Sequence, residues 1–86
     1  MEQPTIAVDL AKSVFQIAVS RRPGQVDEER RLTRGRMLSY FAQAPRATVL
    51  MEACGSSHYW ARELQAHGHT VRLLPAHDVH RYVRRN

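Results

Sequence analysis

The chain of 86 residues is poor in the features that mark secreted and membrane proteins. Cys54 is its single cysteine, which excludes an internal disulfide and fits a reducing cytoplasm. No apolar run approaches the roughly 20 residues that cross a bilayer. Residues 1–4 show no basic segment leading into an apolar one, so no secretion signal is expected. We therefore expect one small domain, or a piece of one, without a membrane partner.

Lysine is also scarce, and arginine carries nearly all of the positive charge, since Lys12 is the single lysine. The net charge is +5 and the isoelectric point is about 10.4. A basic surface attracts polyanions in a salt-dependent way, and arginine adds bidentate contacts with phosphate. The composition therefore favours a nucleic acid as partner, although many small basic proteins bind nothing specific.

Hydrophobic periodicity and turn residues predict a chain in which strands and helices alternate. The predicted strands lie near 5–9, 14–20, 25–32, 47–52 and 70–74. The predicted helices lie near 34–44, 57–67 and 77–85, with the last one cut short at Asn86. Residues 25–32 are polar, so this strand is expected at a sheet edge.

The order of these elements predicts an α/β fold. Three sequential strands favour an antiparallel meander, and the two later strand–helix units favour right-handed parallel crossovers. A mixed five-stranded sheet of order 3-2-1-4-5 with flanking helices satisfies both requirements. This is the ribonuclease H-like arrangement, and it sets the fourth strand beside the first.

Residues typical of helix ends and helix faces refine this prediction. Thr33 is a candidate N-cap for the first helix, and Gly68 lies where a left-handed residue commonly ends a helix. Tyr59, Trp60 and Leu64 are predicted to form the packing face of the second helix rather than a platform for stacked bases.

Two acids stand at the ends of apolar strands, and they carry most of the chemical information. Asp9 closes the run over 5–9, and Glu52 closes the run over 48–52. In a sheet of order 3-2-1-4-5 these strand ends are neighbours, so the carboxylates converge. Two-metal phosphoryl transfer needs carboxylates on rigid supports that hold ions about 3.5–4 Å apart. The alternative is that each acid merely ends a strand at the solvent edge.

Four blocks of the sequence resemble a known family: IAVDLAK (6–12), MEACGSSHYWAR (51–62), HTVRLLP (69–75) and YVRRN (82–86). Together they are similar to the insertion-sequence 110 family of transposases, DEDD-type enzymes with a RuvC-like amino-terminal domain. The resemblance implies a DNA recombinase that moves a bacterial insertion sequence. It also implies magnesium bound by four acids, a guide (bridge) RNA that selects target and donor DNA, and a serine in a separate carboxyl-terminal domain.

On this resemblance, Asp9 matches the first acid of the family and Glu52 the second. The third and fourth acids lie just past an Arg–Asn pair like Arg85-Asn86, where this sequence stops. The resemblance thus implies an amino-terminal fragment of a RuvC-like catalytic domain, with magnesium binding weak or absent and no activity by itself. It further implies a bacterial, nucleoid-associated location in the cytoplasm.

Basic residues near the acids are candidates for nucleic-acid binding. Lys12 lies just beyond Asp9 and could contact a scissile phosphate or be solvated. A patch that follows a phosphate backbone is predicted from four arginines, Arg72, Arg81, Arg84 and Arg85. An equally weighted interpretation is a solvated helix face.

Other clusters are interpreted as structural. A zinc site is disfavoured because the sequence has no CxxC or HExxH frame; its candidate ligands are His67, His69, His77, His80 and Cys54. Ser56, Ser57 and His58 could form a nucleophilic cluster, but helix capping explains the serines and no paired acid orients His58. Asp78 is interpreted as a helix cap rather than a substitute acid.

Three further hypotheses remain open at this stage. The chain could be a basic nucleic-acid-binding module without catalysis, in which the acids are vestigial. An actin-like ATPase also opens with an aspartate after an apolar strand, but Ala11-Lys12 lacks the glycine of its phosphate turn. A homo-oligomer could form if the shortened last helix exposes Val79 and Val83.

Overall fold

The computed structural model describes residues 3–11, 13–22 and 25–83, and it omits the side chains of 10, 11 and 80–83. In chain order the strands and helices are β1 (Thr5–Ala11), β2 (Val14–Ser20), β3 (Glu28–Thr33), α1 (Arg34–Gln43), β4 (Thr48–Glu52), α2 (Ser57–Ala66), β5 (Thr70–Leu74) and α3 (Ala76–Val83). Among the described residues, no helix has the length and apolar character needed to cross a membrane.

The five strands form one mixed sheet of order β3-β2-β1-β4-β5. β1 pairs with β2 and β2 with β3 in the antiparallel sense, whereas β1 pairs with β4 and β4 with β5 in the parallel sense. The predicted α/β fold and strand order are confirmed, and the arrangement is consistent with the ribonuclease H-like class. The carboxyl ends of β1, β3, β4 and β5 therefore lie at one edge of the sheet, named here the carboxyl rim.

Alternation along β1 separates the two faces of the sheet. Ile6 and Val8 point to the face covered by α1 and α2, and Ala7 and Asp9 point to the other, as expected from the period of two. The first face, named the large-core face, carries the main buried cluster. Its members are Ile6, Val8, Phe15, Ile17, Val19, Leu32, Met37, Phe41, Ala47, Val49, Met51, Trp60 and Leu64.

The opposite face, named the α3 face, has a smaller core. Val79 of α3 is fully buried against Ala7 of β1 and Ala18 of β2. The two alanines leave room for the helix backbone to approach the sheet closely. The prediction that Val79 is exposed is therefore wrong, because α3 turns this side chain onto the sheet, and a homo-oligomer stays a prediction. Val83 lies in α3, but its side chain is outside the described part.

Strand bounds differ from the prediction at β3 and β1, and by one residue at β4, which begins at Thr48. β3 begins at Glu28, because the carboxylate of Asp27 holds the preceding turn: it accepts hydrogen bonds from the Arg21 N–H at 2.7 Å and the Gln25 side-chain amide at 2.8 Å. β1 continues two residues past Asp9, because β2 goes on pairing with it as far as Ala11.

The predicted helix ends are partly confirmed. Gly68 has a φ of 93°, the left-handed conformation expected after α2. Thr33 occupies the N-cap position of α1 in an extended conformation, but its side chain makes no capping hydrogen bond. Along α2, Trp60 and Leu64 are buried, whereas Tyr59 is 46% exposed. The prediction that Tyr59 packs in the core is wrong, because the neighbouring residue on a helix is rotated by about 100°.

His69 joins three parts of the fold through its buried imidazole ring. The Ala47 N–H donates to Nδ1 at 3.2 Å, so Nε2 carries the proton and donates to the Phe41 carbonyl at 2.7 Å. The ring also meets Phe41 edge-on, with centroids 5.4 Å apart. The start of β5 is thus tied to α1 and to the residue before β4.

Replacing His69 with alanine is expected to destabilise the fold by about 2–4 kcal/mol, because two buried backbone groups lose their partners and a void forms. Urea unfolding measures the free energy. His67→Ala is the matched control, since His67 is exposed at the end of α2, and it should change stability by less than about 0.5 kcal/mol. Equal stabilities for the two variants would contradict the structural role of His69.

Candidate acidic site at the carboxyl rim

Asp9 and Glu52 lie on neighbouring strands. The parallel register of β1 and β4 ends with Val8 paired to Met51, and Asp9 and Glu52 are the next residues along the two strands. Neighbouring strands are about 4.8 Å apart. Both side chains share the α3 face, because Asp9 alternates with Val8 and Glu52 with Met51. The two acids thus lie on one face at neighbouring strand ends, as expected, and their role as metal ligands stays a prediction.

The two acids differ in their surroundings. Asp9 is 7% exposed and stands where β1 has β2 on one side and the end of β4 on the other. Glu52 is half-buried at the last position of β4, and the Ala53 N–H that follows donates to the Leu74 carbonyl at 2.8 Å. Asp9 is thus paired with Gln16 of β2, and Glu52 with Leu74 of β5, so each acid lies on a strand that is paired at that position.

The register extends the pair of acids into a row across the sheet. Asp9 pairs with Gln16 of β2, and Gln16 pairs with Arg31 of β3. Arg31, Gln16, Asp9 and Glu52 are named here the acid row. Exposure rises along it from buried Asp9 through half-buried Gln16 to exposed Arg31. A cation and an amide thus flank the carboxylates on the same face.

Gln16 and Arg31 were not predicted as site residues from the sequence, which indicated β3 only as a polar edge strand. The signal was present, because the short connection between Ala11 and Val14 sets the pairing of the first two strands. Counting back from that turn pairs Asp9 with Gln16. The partner of Gln16 on β3 could not be counted, because the predicted start of β3 was three residues too early.

Asp78 does not complete the acidic site. It lies in the first turn of α3, where its N–H donates to the Pro75 carbonyl at 3.0 Å, so its expected place near the start of the helix is confirmed. An acid in this turn is favourable with the helix dipole, and Oδ1 is 3.2 Å from Nε2 of His77. Within 3–11, 13–22 and 25–83, no group of three histidine, cysteine or acidic side chains could hold a metal ion.

The histidine and serine clusters have structural explanations. Both ring nitrogens of His69 are engaged by backbone groups, and the side chain of His80 lies outside the description. Ser57 is buried and closes the turn after β4, since its hydroxyl donates to the Cys54 carbonyl at 2.6 Å and accepts from the Cys54 N–H at 3.0 Å. Ser56 occupies the predicted N-cap position of α2, but its side chain makes no capping hydrogen bond.

Of the four arginines in the predicted patch, Arg72 is the one whose side chain the structure describes. Arg72 is exposed on the edge strand β5 and lies on the α3 face. It is two residues before Leu74, the residue that pairs with Glu52. The backbone of Arg81 belongs to α3, but its side chain is not described. Lys12, Arg84 and Arg85 lie outside the described residues. The nucleic-acid-binding roles of these residues stay predictions.

A groove of about 850 Å³ lies on the large-core face, near the amino end of β1 and therefore away from the acid row. Tyr40, Arg30 and Glu28 are among its lining residues, and the Arg30 side chain is 2.8 Å from Glu28. Burial raises the pKa of Tyr40, and Glu28 adds to this rise, while Arg30 and Arg21 oppose it. The groove has no geometric connection with the acids.

Comparison with known proteins identifies relatives over nearly the whole chain. A "Probable family 20 transposase" of Pseudomonas aeruginosa is 48% identical over 84 residues, which cover 98% of this chain and 25% of the relative. A "Putative transposase y4pF/y4sB" of Sinorhizobium fredii is 38% identical over 80 residues, 93% of this chain and 21% of that protein. The "Transposase for insertion sequence element IS1111A" of Coxiella burnetii is 35% identical over 81 residues, which cover 94% of this chain and 22% of that protein.

These relatives define the class to which the chain is related, the transposases. More particularly, the relationship is to transposases of insertion sequences, which confirms the resemblance seen in the sequence and is consistent with an amino-terminal fragment of the insertion-sequence 110 type. The chain spans about a quarter of the length of these relatives. No family model and no solved structure matches it.

Proposed function

We propose that the chain supplies the first two acids, Asp9 and Glu52, of a magnesium-dependent DEDD-type centre in a RuvC-like DNA transposase. The observation that carries the proposal is the pairing of β1 with β4, which sets the two acids side by side on one face. The names of the relatives support the reaction class. Further acids would come from the three quarters of the relatives that this chain does not span.

The acids fit a divalent cation in their chemistry but form an incomplete set of ligands. Magnesium prefers octahedral oxygen ligation and keeps several of its waters, so two adjacent carboxylates suit it weakly. A bound divalent ion supplies Lewis-acid stabilisation of the oxygens of a transferring phosphoryl group. The chain's own contribution is to hold Asp9 and Glu52 rigidly and on one face.

The rest of the acid row suggests how a nucleic acid would be oriented. Arg31 presents a guanidinium at the exposed end, suited to a bidentate contact with a backbone phosphate. Gln16 lies directly across from Asp9 and can orient its carboxylate with the side-chain amide. DNA is thus the proposed substrate, and a guide RNA is a proposed partner of the complete protein.

A nucleic-acid-binding module without catalysis is the second candidate, supported by the net charge of +5. The two candidates differ in what the acids do. In the catalytic proposal the carboxylates are required for strand transfer. In the binding proposal their removal leaves binding intact or improves it, because negative charge beside the phosphates is lost.

The first test is a chimera in which this chain replaces the matching segment of the Pseudomonas aeruginosa relative. Asp9→Asn and Glu52→Gln should lower transposition in a plasmid assay by more than the roughly 10- to 100-fold that is lost with a residue supporting a metal ligand. Glu63→Gln on α2 is the control and should transpose normally. Undiminished transposition by both acid variants would refute the catalytic proposal.

Metal binding by the 86-residue chain should be weak, with a Kd for Mg²⁺ or Mn²⁺ of about 1 mM or above, and DNA cleavage should be undetectable. Calorimetric titration measures the affinity, and broadening of amide signals by Mn²⁺ locates the site. Broadening should centre on Asp9 and Glu52 and disappear in Glu52→Ala. Micromolar binding that survives Glu52→Ala would contradict the paired-acid site.

DNA binding should depend steeply on salt, because arginines displace counterions from the phosphates. Arg31→Ala should lower the slope of log K against log salt by about 1. Arg22→Ala removes the same charge from the exposed hairpin at the opposite end of the sheet and serves as the control. Fluorescence anisotropy with labelled DNA measures the salt slope of each variant. Identical slopes for the two variants would exclude a phosphate contact at Arg31.

A further inference from the structure

An aromatic ring is exposed at the carboxyl rim, on the side away from the acid row. Tyr59 is the third residue of α2, a helix that starts soon after β4 ends at Glu52. Its side chain is 46% exposed. The proposed catalytic chemistry makes no use of it, and the core does not need it, since Trp60 and Leu64 anchor the helix.

The Tyr59 ring rests on a rigid support. It meets Trp60 edge-on, with ring centroids 5.1 Å apart and planes at 78°. Trp60 is 5% exposed and meets Phe15 of β2 in the same way, at 5.3 Å and 74°. The exposed ring is therefore supported by buried Trp60, which itself packs on Phe15, and this support lowers the entropy lost when a ligand lies on Tyr59.

A cation lies over Trp60, the buried ring that Tyr59 contacts, and over Phe15. Arg34 is the exposed first residue of α1, which follows β3 at the carboxyl rim. Its guanidinium carbon lies 5.8 Å from the Phe15 centroid and 6.0 Å from the Trp60 centroid. Cation–π attraction fixes the guanidinium there while leaving it open to solvent.

We propose that Tyr59 and Arg34 form a binding site for an unpaired nucleotide, in which the base stacks on Tyr59 and a backbone phosphate contacts Arg34. Aromatic side chains that accompany basic groups bind single strands in this way, because every base has a π face. A base inside a duplex has both faces covered by its neighbours, so the site selects single-stranded nucleic acid. The positive charge of the chain complements this occupant.

The site rests on the proposed function in one respect, namely its position relative to the acids. Phe15 and Gln16 are adjacent on β2 and point to opposite faces, so the stacking site and the acid row flank the same rim. A strand held on Tyr59 can pass over the rim toward Asp9 and Glu52. Binding itself requires no metal.

The experiment titrates the chain, without divalent cation, with short oligodeoxyadenylate, short oligoriboadenylate and a DNA duplex of the same length. Trp60 is the single tryptophan, so its fluorescence reports events at the site directly. Anisotropy of labelled oligonucleotides gives the affinities. The strand that binds more tightly, DNA or RNA, identifies the source of the unpaired nucleotide.

Tyr59→Leu should weaken single-strand binding by about 5- to 150-fold, whereas Tyr59→Phe, which keeps the ring, should bind as the unmodified chain does. Arg34→Gln should weaken binding and lower the salt slope by about 1. Arg22→Gln, which removes the same charge at the far end of the sheet, should leave both the salt slope and Trp60 quenching unchanged. Matching unfolding curves establish that the variants fold.

Unchanged single-strand affinity in Tyr59→Leu would overturn the inference. So would an equal loss of affinity for the duplex, because a covered base cannot lie on the ring, and so would quenching of Trp60 by an acidic peptide as strong as that by the oligonucleotides. The outcome is separable from the catalytic proposal: transposition that depends on Asp9 and Glu52 can persist when the stacking site fails, and stacking can be observed when the acids prove dispensable.

Discussion

The pairing of β1 with β4 is the constraint on which the rest of the structure depends. β1 lies in the middle of the sheet, and Ile6, Ala7 and Val8 are buried on both of its faces. A slip of one residue against β4 would turn apolar side chains away from the large core and carry Asp9 into it. The cost of burying a carboxylate there excludes that register. The same apolar packing that stabilises the domain therefore places Asp9 beside Glu52.

Each face of the sheet has its own hydrophobic core, a large one under α1 and α2 and a small one under α3. On the large-core face, α1 and α2 bury big side chains, and the rim of that core supports the exposed Tyr59 and Arg34. On the α3 face, the small side chains of Ala7 and Ala18 let Val79 pack closely against the sheet. The helix therefore crosses β1 at Ala7, two residues before Asp9. The acid row thus stays at the rim, with Arg31 exposed and Asp9 buried. A rim with acids on one side and an aromatic–cation pair on the other is suited to a nucleic-acid strand.

Individual elements and residues show which features of the structure could be predicted from the sequence. Alternating hydrophobicity and flanking turns predicted β2 and β5 with correct bounds, and the order of elements predicted the convergence of Asp9 and Glu52. The same reasoning missed Gln16, although the turn between β1 and β2 pairs it with Asp9, and it missed Arg31 because that position depends on the register of β3. It also misplaced Tyr59 and Val79, since helical periodicity defines a face without saying which neighbour covers it.

What the sequence determined by itself was local: the period of two that points Asp9 away from Val8, the turns that end each strand, and the acids and arginines available for chemistry. Only the tertiary structure decided which of these residues meet. Register between strands, and the side on which a helix docks, depend on packing between segments far apart in the chain, and no local pattern contains that information. Packing between distant segments therefore placed Arg31 and Gln16 in the same cross-strand row as Asp9. It also buried Val79 and left Tyr59 on the surface.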